Sequence, residues 1–347
     1  MIPYGKHYID EDDIKSVVSV LKSKKNITQG KIPTLFSNKI AKFTKSKYSL
    51  SVSSGTAALH IAVQSIGLNH NHNVITTPLT FCATTNVVLM TGAKVKFVDV
   101  DKQTLNLDIG KIEDLIDKNT FAIIPVDFRG VPSNLPDIYK LAKKYNLKII
   151  TDCSHSLGSK FKYNNKWYHA GAPEFSDIST FSFHPVKHIT TGEGGAIITN
   201  QKSLFNKCEL LSRHGIYRNE STIDKKNFQG SWYYDSNHIG LNYRLTDFQA
   251  ALGLSQFKKI NIFIKRRKEL NKIYRDLFSK LPQVKIPIEL PNLKSNYHIF
   301  VILLENSSVR YKLFNYLRDN NYAVMIHYIP VYKLKVYKKI YGNNFNL

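Results

Sequence analysis

Along the chain, short runs of consecutive apolar residues alternate with stretches in which apolar positions recur every three or four residues. The first pattern marks buried strands and the second amphipathic helices. Asp10–Lys22 opens the series, with Ile14, Val17, Val18 and Leu21 on one helical face behind acidic residues that favour a helix start. After the polar turn Asn26–Lys31, Leu35–Phe43 predicts a second amphipathic helix, and Tyr48–Val52 predicts a strand running directly into helix Ala57–Ser65. Strand Asn73–Thr76, helix Cys82–Thr91, strand Lys94–Val98, helix Ile109–Asp117, strand Phe121–Pro125, helix Leu135–Tyr145 and strand Leu147–Thr151 follow in turn. Strands separated by helices pair in parallel through crossovers, so the fold class is α/β, with a mostly parallel sheet covered by helices on both faces. Ligands are then expected beyond the carboxyl ends of the strands.

The second half begins with strands Thr180–Phe183 and Ala196–Thr199, which bracket a polar, glycine-rich loop presenting Lys187 between His184 and His188. Helix Leu204–Leu211 leads into His214–Ser236, an irregular stretch too long for a simple connection. A long helical run, Asp247–Leu277, strand Tyr297–Leu304, helix Val309–Asn320 and strand Val324–Tyr328 predict a smaller α+β unit. The expected division is a large domain over 1–246, including an N-terminal arm, and a small domain over 247–347. At 347 residues the chain is long enough for such a pair.

Composition narrows the function classes. No apolar run reaches membrane-spanning length, and the opening MIPYGKHYID lacks the basic and apolar regions of a secretory signal, so a cytoplasmic protein with no membrane partner is expected. Cys82, Cys153 and Cys208 lie far apart without ligand spacing, which argues against a disulfide framework and a zinc site. The formal net charge of +23 invites a nucleic-acid partner, but lysines are spread through the whole chain, so a lysine-biased composition is the first reading. No nucleic-acid partner is expected. A positive field also draws in anionic small molecules such as nucleotide diphosphates.

Candidate chemistry gathers at strand ends. Ser53–Leu59, SSGTAAL, places small residues at a strand-to-helix junction, where backbone amides and the helix dipole suit a phosphate; an ordinary helix cap explains the same residues equally well. Asp152 ends a buried-looking strand, so it needs a partner unless it simply caps the segment that follows. Lys187, taken alone, reads as a solvated amine. Taken together with Phe81, these elements fit pyridoxal 5'-phosphate, which requires a phosphate cradle, an amine, a carboxylate for its ring nitrogen and an aromatic against its ring. His184 and His188, four apart in a loop rather than on a helix, do not suit a metal, and none is expected. Glu193 is open to pairing with Arg129 or to a plain turn role, and Trp167 and Tyr168 read as a hairpin pair.

Five motifs in order, SGTAAL, TTPLTFCAT, DCSHSLG, FSFHPVKHITTGEGG and LNYRLTDFQAALG, resemble the DegT/DnrJ sugar-nucleotide aminotransferases, which are fold-type-I pyridoxal-phosphate enzymes. The resemblance runs from the IPYG near the N-terminus to HYIPVY near the C-terminus. It implies that Lys187 holds the cofactor covalently and then moves protons, that Asp152 pairs with the ring nitrogen, that His155 lies against the cofactor and that Phe81 stacks on its ring. It implies further that Thr56, Ala57 and Ser182 bind the phosphate and that Asn242 reaches it from a second subunit, making a homodimer. Tyr4, Gln29, His327 and Tyr328 are implied near the substrate. The Asp152/His155 pair and the HPVKH loop resemble the pseudaminic-acid branch, which implies a nucleotide-sugar substrate, amination at C4 of a UDP-linked 4-keto-6-deoxy-N-acetylhexosamine, and an amino-acid donor, glutamate. Members of the family it resembles continue past HYIPVY through a further helix and strand, so either a truncated C-terminus or a reduced small domain is expected. Two other readings stand beside it: a sugar dehydratase of the same fold, in which histidine replaces the lysine, and a basic nucleic-acid-binding protein.

Overall fold

The computed structural model describes residues 1–218, 230 and 232–342. Helices α1 (Glu11–Lys22) and α2 (Ile32–Thr44) precede strand β1 (Tyr48–Val52) and helix α3 (Gly55–Ser65). Then come β2 (Asn73–Thr76), α4 (Ala83–Met90), β3 (Lys94–Phe97), β4 (Thr120–Ile124), α5 (Leu135–Lys144) and β5 (Lys148–Asp152). Strands β6 (Ile178–Ser182) and β7 (Gly195–Thr199) complete a seven-stranded sheet of order β1-β7-β6-β5-β4-β2-β3. Only β7 runs against its neighbours, β1 and β6; the other pairings are parallel.

Both faces of this sheet are buried, which is why its strands read as continuous apolar runs rather than alternating ones. Successive residues point to opposite sides: Ile150, Ile124, Val74 and Ile197 pack with α3, α4 and α6 (Lys202–Leu211), whereas Ile149, Ile123 and Ile75 pack with α5. At the β6–β7 end, Phe181 and Ile198 pack instead with Phe36 and Ile40 of α2 and with Ala250 and Phe257 of α7 (Asp247–Phe257). Phe36 is fully buried, with the Phe183 and Phe257 rings 5.2 and 6.3 Å away. Gly253 permits this contact, since a Cβ there meets the Phe36 ring at 2.7 Å.

Several expected elements take other forms. Ile109–Asp117 is not one helix but two short 3₁₀ turns, Ile109–Lys111 and Glu113–Leu115. Gly110 weakens the helix, the Asp108 side chain accepts from Gly110 N, and the chain is extended again at Ile116. The run Asp247–Leu277 breaks at Lys258–Lys259 into α7 and α8 (Ile260–Phe278). There Lys259 Nζ is drawn to Asp10 and Asp13 of the N-terminal segment, both at 2.7 Å. In Tyr297–Leu304 only Leu303–Leu304 pairs as strand, because the residues before it turn into the sheet's carboxyl edge, with Tyr297 at φ +58°. Instead of Val324–Tyr328, it is Tyr322–Ala323 that forms a ladder, parallel to Ile2–Pro3. Trp167 and Tyr168 do lie in a hairpin, Lys160–Tyr163 against Lys166–His169. Residues 219–229 and 231 of the His214–Ser236 stretch lie outside the described residues. Helices α9 (Ser307–Asp319) and α10 (Lys335–Tyr341) finish the description. Among the described residues no helix is long and apolar enough to cross a membrane.

Emptying the Phe36 position leaves a cavity lined by rings that cannot collapse freely. Phe36→Ala is expected to cost about 3–5 kcal/mol in urea unfolding; a loss below ~1 kcal/mol would show that the β6–β7 end does not depend on this packing.

Candidate active site

Asp152 is the last residue of β5. Its backbone N–H donates to Pro125 O and its carbonyl accepts from Asp127 N, which fixes it at the sheet's carboxyl edge. The side chain is buried, and removing a carboxylate from water is costly unless its oxygens are hydrogen-bonded. Oδ1 accepts from Ser154 N (3.0 Å) and Ser154 Oγ (2.6 Å), and Oδ2 accepts from Thr84 Oγ1 (2.8 Å). Because Thr84 uses its one proton on Asp152, Thr80 must donate in the 2.7 Å contact between the two threonines. These donors satisfy both carboxylate oxygens, and among the described residues no cation lies within ion-pair distance of it. The expected partner is thus a set of hydroxyls on neighbouring turns.

Lys187 sits in the β6–β7 loop, half-buried, with its backbone N–H on His184 O. Burial pushes its ammonium down to about 8, against an opposing pull from Asp152. The other groups around it are mostly imidazoles. His155 packs 4.4 Å from His298, both buried, and burial with the nearby Lys187 charge drives each imidazole well below its ordinary range. His188 falls to about 3 for the same first reason, with its Nε2 on Asn296 O at 2.8 Å. Asn296 donates to the carbonyls of His155 and Leu157, tying the Asp152–His155 turn to the segment after α8. His155 Nε2 meets the Tyr328 hydroxyl at 3.1 Å, while its Nδ1 is buried without a partner. A neighbouring carboxylate, Asp127, is raised to about 6 by burial and accepts from Ser156 Oγ and Ser133 N.

The β1–α3 junction combines both readings of Ser53–Leu59. Ser54 is an ordinary N-cap whose Oγ accepts from Ala57 N at 3.0 Å, so the Ala57 amide is already engaged. The amides of Gly55 and Thr56, ahead of the first internal bond, have no protein acceptor among the described residues. The junction lies against β6 and β7: a Cβ on Gly55 would meet Ser182 Cβ at 2.8 Å, and one on Gly195 would meet Ser54 O at 2.4 Å. Free amides, a helix N-terminus and the Ser182 hydroxyl together suit a phosphate. The Phe81 ring is 59% exposed, open to a flat ligand, with Tyr328 6.2 Å away. A desolvated amine, a buried, hydrogen-bonded carboxylate, an unpartnered imidazole nitrogen and this cradle fit pyridoxal 5'-phosphate.

The Tyr4 and His327 rings meet at 5.4 Å, tilted by 51°, beside Tyr328, so the N-terminal arm and the C-terminal segment meet near Lys187. Gln29 is exposed at φ +60°; Asn242 is exposed, its side chain accepts from Arg244 N and its backbone bridges Arg213, while the carbonyl of the next residue, Tyr243, accepts from Ser53 N beside the cradle. Glu193 does not pair with Arg129. Its carboxylate lies 3.9 Å from His184, whereas Arg129 is buried and donates to Thr104 O and Ile288 O. Thr84, Asn296 and His298 were not legible as site residues. Thr84 stands in TTPLTFCAT three residues after Phe81, a spacing that places it one helical turn away, whereas nothing in the local sequence marks Asn296 or His298.

Comparison with known proteins agrees with this geometry. The DegT/DnrJ/EryC1/StrS aminotransferase family matches residues 7–346. A Campylobacter jejuni protein named UDP-4-amino-4,6-dideoxy-N-acetyl-beta-L-altrosamine transaminase is 37% identical over 350 residues, covering 99% of this chain and 87% of its own. The Bacillus subtilis spore coat polysaccharide biosynthesis protein SpsC is 31% identical over 345 residues, covering 98% and 86%. Among solved structures, Helicobacter pylori PseC, an aminotransferase involved in the biosynthesis of pseudoaminic acid, superposes with a TM-score of 0.87 at 33% identity, covering 99% of this chain and 89% of that one. The chain belongs to the DegT/DnrJ/EryC1/StrS family and is a pyridoxal-phosphate-dependent sugar aminotransferase.

Proposed function

We propose that the protein moves an amino group from glutamate to C4 of a UDP-linked 4-keto-6-deoxy-N-acetylhexosamine, for a surface-glycan or flagellin-glycan sugar. The observation that carries the chemistry is the desolvated Lys187 amine lowered to about 8 beside the buried, hydroxyl-bonded Asp152. The Campylobacter and Helicobacter relatives named for a UDP-linked amino sugar support the choice of substrate. Retention of a lysine at 187 favours transamination over the dehydratase reading.

Pyridoxal phosphate, when bound, supplies an electron sink and a carrier for the amino group. Lys187 would attach it through an amine that is about half neutral near pH 8, and once released the same amine would take the proton from the donor's α-carbon and, in the second half of the reaction, deliver one to the keto carbon of the sugar. Asp152, held by Thr84 and Ser154, would pair with the ring nitrogen. The Gly55 and Thr56 amides with Ser182 Oγ would hold the phosphate, joined by the Ala57 turn. Phe81 would cover one ring face, and the His155 Nδ1 edge is free to bond a cofactor oxygen. Neutral His155, His188 and His298 surround the lysine with a polar wall that adds no charge.

Asn242 lies on the surface of its own chain, and its reading as a phosphate ligand needs a second copy, so we assign a homodimer with a shared site. Tyr4, Gln29, His327 and Tyr328 are assigned to the nucleotide-sugar side, and the enzyme to the cytoplasm. Helix α7 shares the core of the sheet through Ala250 and Phe257, which moves the proposed start of the small domain from 247 towards Lys258.

Reactive labelling of cofactor-free protein is expected to half-modify Lys187 near pH 8, below exposed lysines at about 10.4. Asp152→Asn should move that half-point lower still, since Asp152 opposes the effect of burial; a half-point among the surface lysines refutes the desolvated amine. Asp152→Asn is also expected to weaken cofactor binding and remove most turnover, and near-normal turnover would mean that the ring nitrogen has another partner. With glutamate as donor, UDP-linked 4-keto-6-deoxy sugars should be aminated, whereas turnover confined to sugars keto at another carbon contradicts the proposed substrate.

A further inference from the structure

Helix α4 carries Thr84, the donor to Asp152, and follows directly after Phe81. By itself it is weakly anchored. Its eight residues fall short of the length at which an isolated helix is stable, its N-cap Cys82 makes no side-chain capping bond, and Thr84, Thr85, Val87 and Val88 are β-branched. Its first turn is therefore placed from outside, and the structure shows two anchors.

One anchor is Asp152. The other is Tyr337 on α10, whose side chain is fully buried. Its hydroxyl donates to Asn86 Oδ1 at 2.6 Å. The same oxygen contacts Thr85 Oγ1 at 2.5 Å; with the tyrosine proton committed, the Thr85 hydroxyl proton is shared between the tyrosine oxygen and Cys82 O at 3.1 Å. Thr84 is thus held on the sheet side while the next two residues, Thr85 and Asn86, are held by the C-terminal helix. The lead-in to α10 touches the same region twice more: Val331 N donates to Pro78 O at 3.0 Å, and Tyr328 meets His155.

We propose that Tyr337 is a positioning residue for the cofactor site: by fixing Thr85 and Asn86 it keeps the Thr84 hydroxyl on Asp152 and Phe81 at the ring face. This inference rests on the reading of Asp152 and Phe81 as cofactor contacts. Loss of the tyrosine hydroxyl frees the first turn of α4 without emptying the core, because the ring remains.

The test compares Tyr337→Phe with Tyr341→Phe, which removes a hydroxyl from the same helix whose partner, Val95 N, lies on β3 rather than α4. The readouts are the Kd of cofactor-free enzyme for pyridoxal phosphate by equilibrium dialysis and the Tm of the cofactor-free protein. Tyr337→Phe is expected to raise Kd about tenfold, the equivalent of roughly one buried hydrogen bond, while Tyr341→Phe lowers Tm with Kd held within about twofold. Thr85→Ala, which removes the partner and leaves the tyrosine, should reproduce the Kd shift and serves if Tyr337→Phe does not fold. Unchanged Kd in Tyr337→Phe and Thr85→Ala, or an equal rise in Tyr341→Phe, overturns the proposal. Asp152→Asn measured alongside separates the two failures: wild-type Kd there refutes the site reading itself, whereas a weakened Kd there with none in Tyr337→Phe refutes the positioning role alone.

Discussion

The constraint on which the structure turns is the coexistence, at one edge of a sheet, of an amine that can lose its proton and a buried carboxylate whose oxygens must all find donors. Burial favours the neutral amine and makes an unbonded carboxylate costly. The protein separates them by what it places around each. Asp152 receives three hydrogen bonds from Thr84 and Ser154, while Lys187, with no side-chain hydrogen bond among the described residues, is governed by desolvation. Burial lowers the nearby histidines as it lowers the lysine, so they line the cleft as neutral polar groups.

The fold supplies this arrangement economically. Asp152 ends a parallel strand, and the backbone link between β5 and the residues after β4 fixes its direction. Lys187 arrives from the one antiparallel connection, β6 to β7, whose loop is backed by Phe183 on Phe36. The C-terminal third of the chain then reaches back over the edge: Asn296 binds the turn after Asp152, Tyr328 binds His155, and Tyr337 grips α4. The site therefore joins segments distant in sequence, and much of its support lies outside the recognisable motifs.

That division explains what could be read from the chain alone. The sheet was legible because both of its faces are buried, giving runs such as Asn73–Thr76 and Ile178–Ser182 that no surface segment would carry. Asp152, Lys187 and the Ser54–Thr56 turn were legible because strand ends are where such a sheet collects its ligands. The long helix over Asp247–Leu277 was misread because its periodicity continues unbroken, while the break at Lys258–Lys259 is accompanied by an ion-pair link to Asp10 and Asp13 far away in sequence. Asn296, His298 and Tyr337 were illegible for the same reason: each acts through one long-range hydrogen bond or ring contact, and no local pattern records it.

The central claim is that Lys187, and no other of the many lysines, is the amine that carries the cofactor. Borohydride reduction of the cofactor-loaded enzyme followed by peptide mapping tests it most directly. The account predicts loss of the visible-range cofactor band and a reduced pyridoxyl group on Lys187 alone. A pyridoxyl group on a different lysine, or none on any peptide while the band persists, would contradict it.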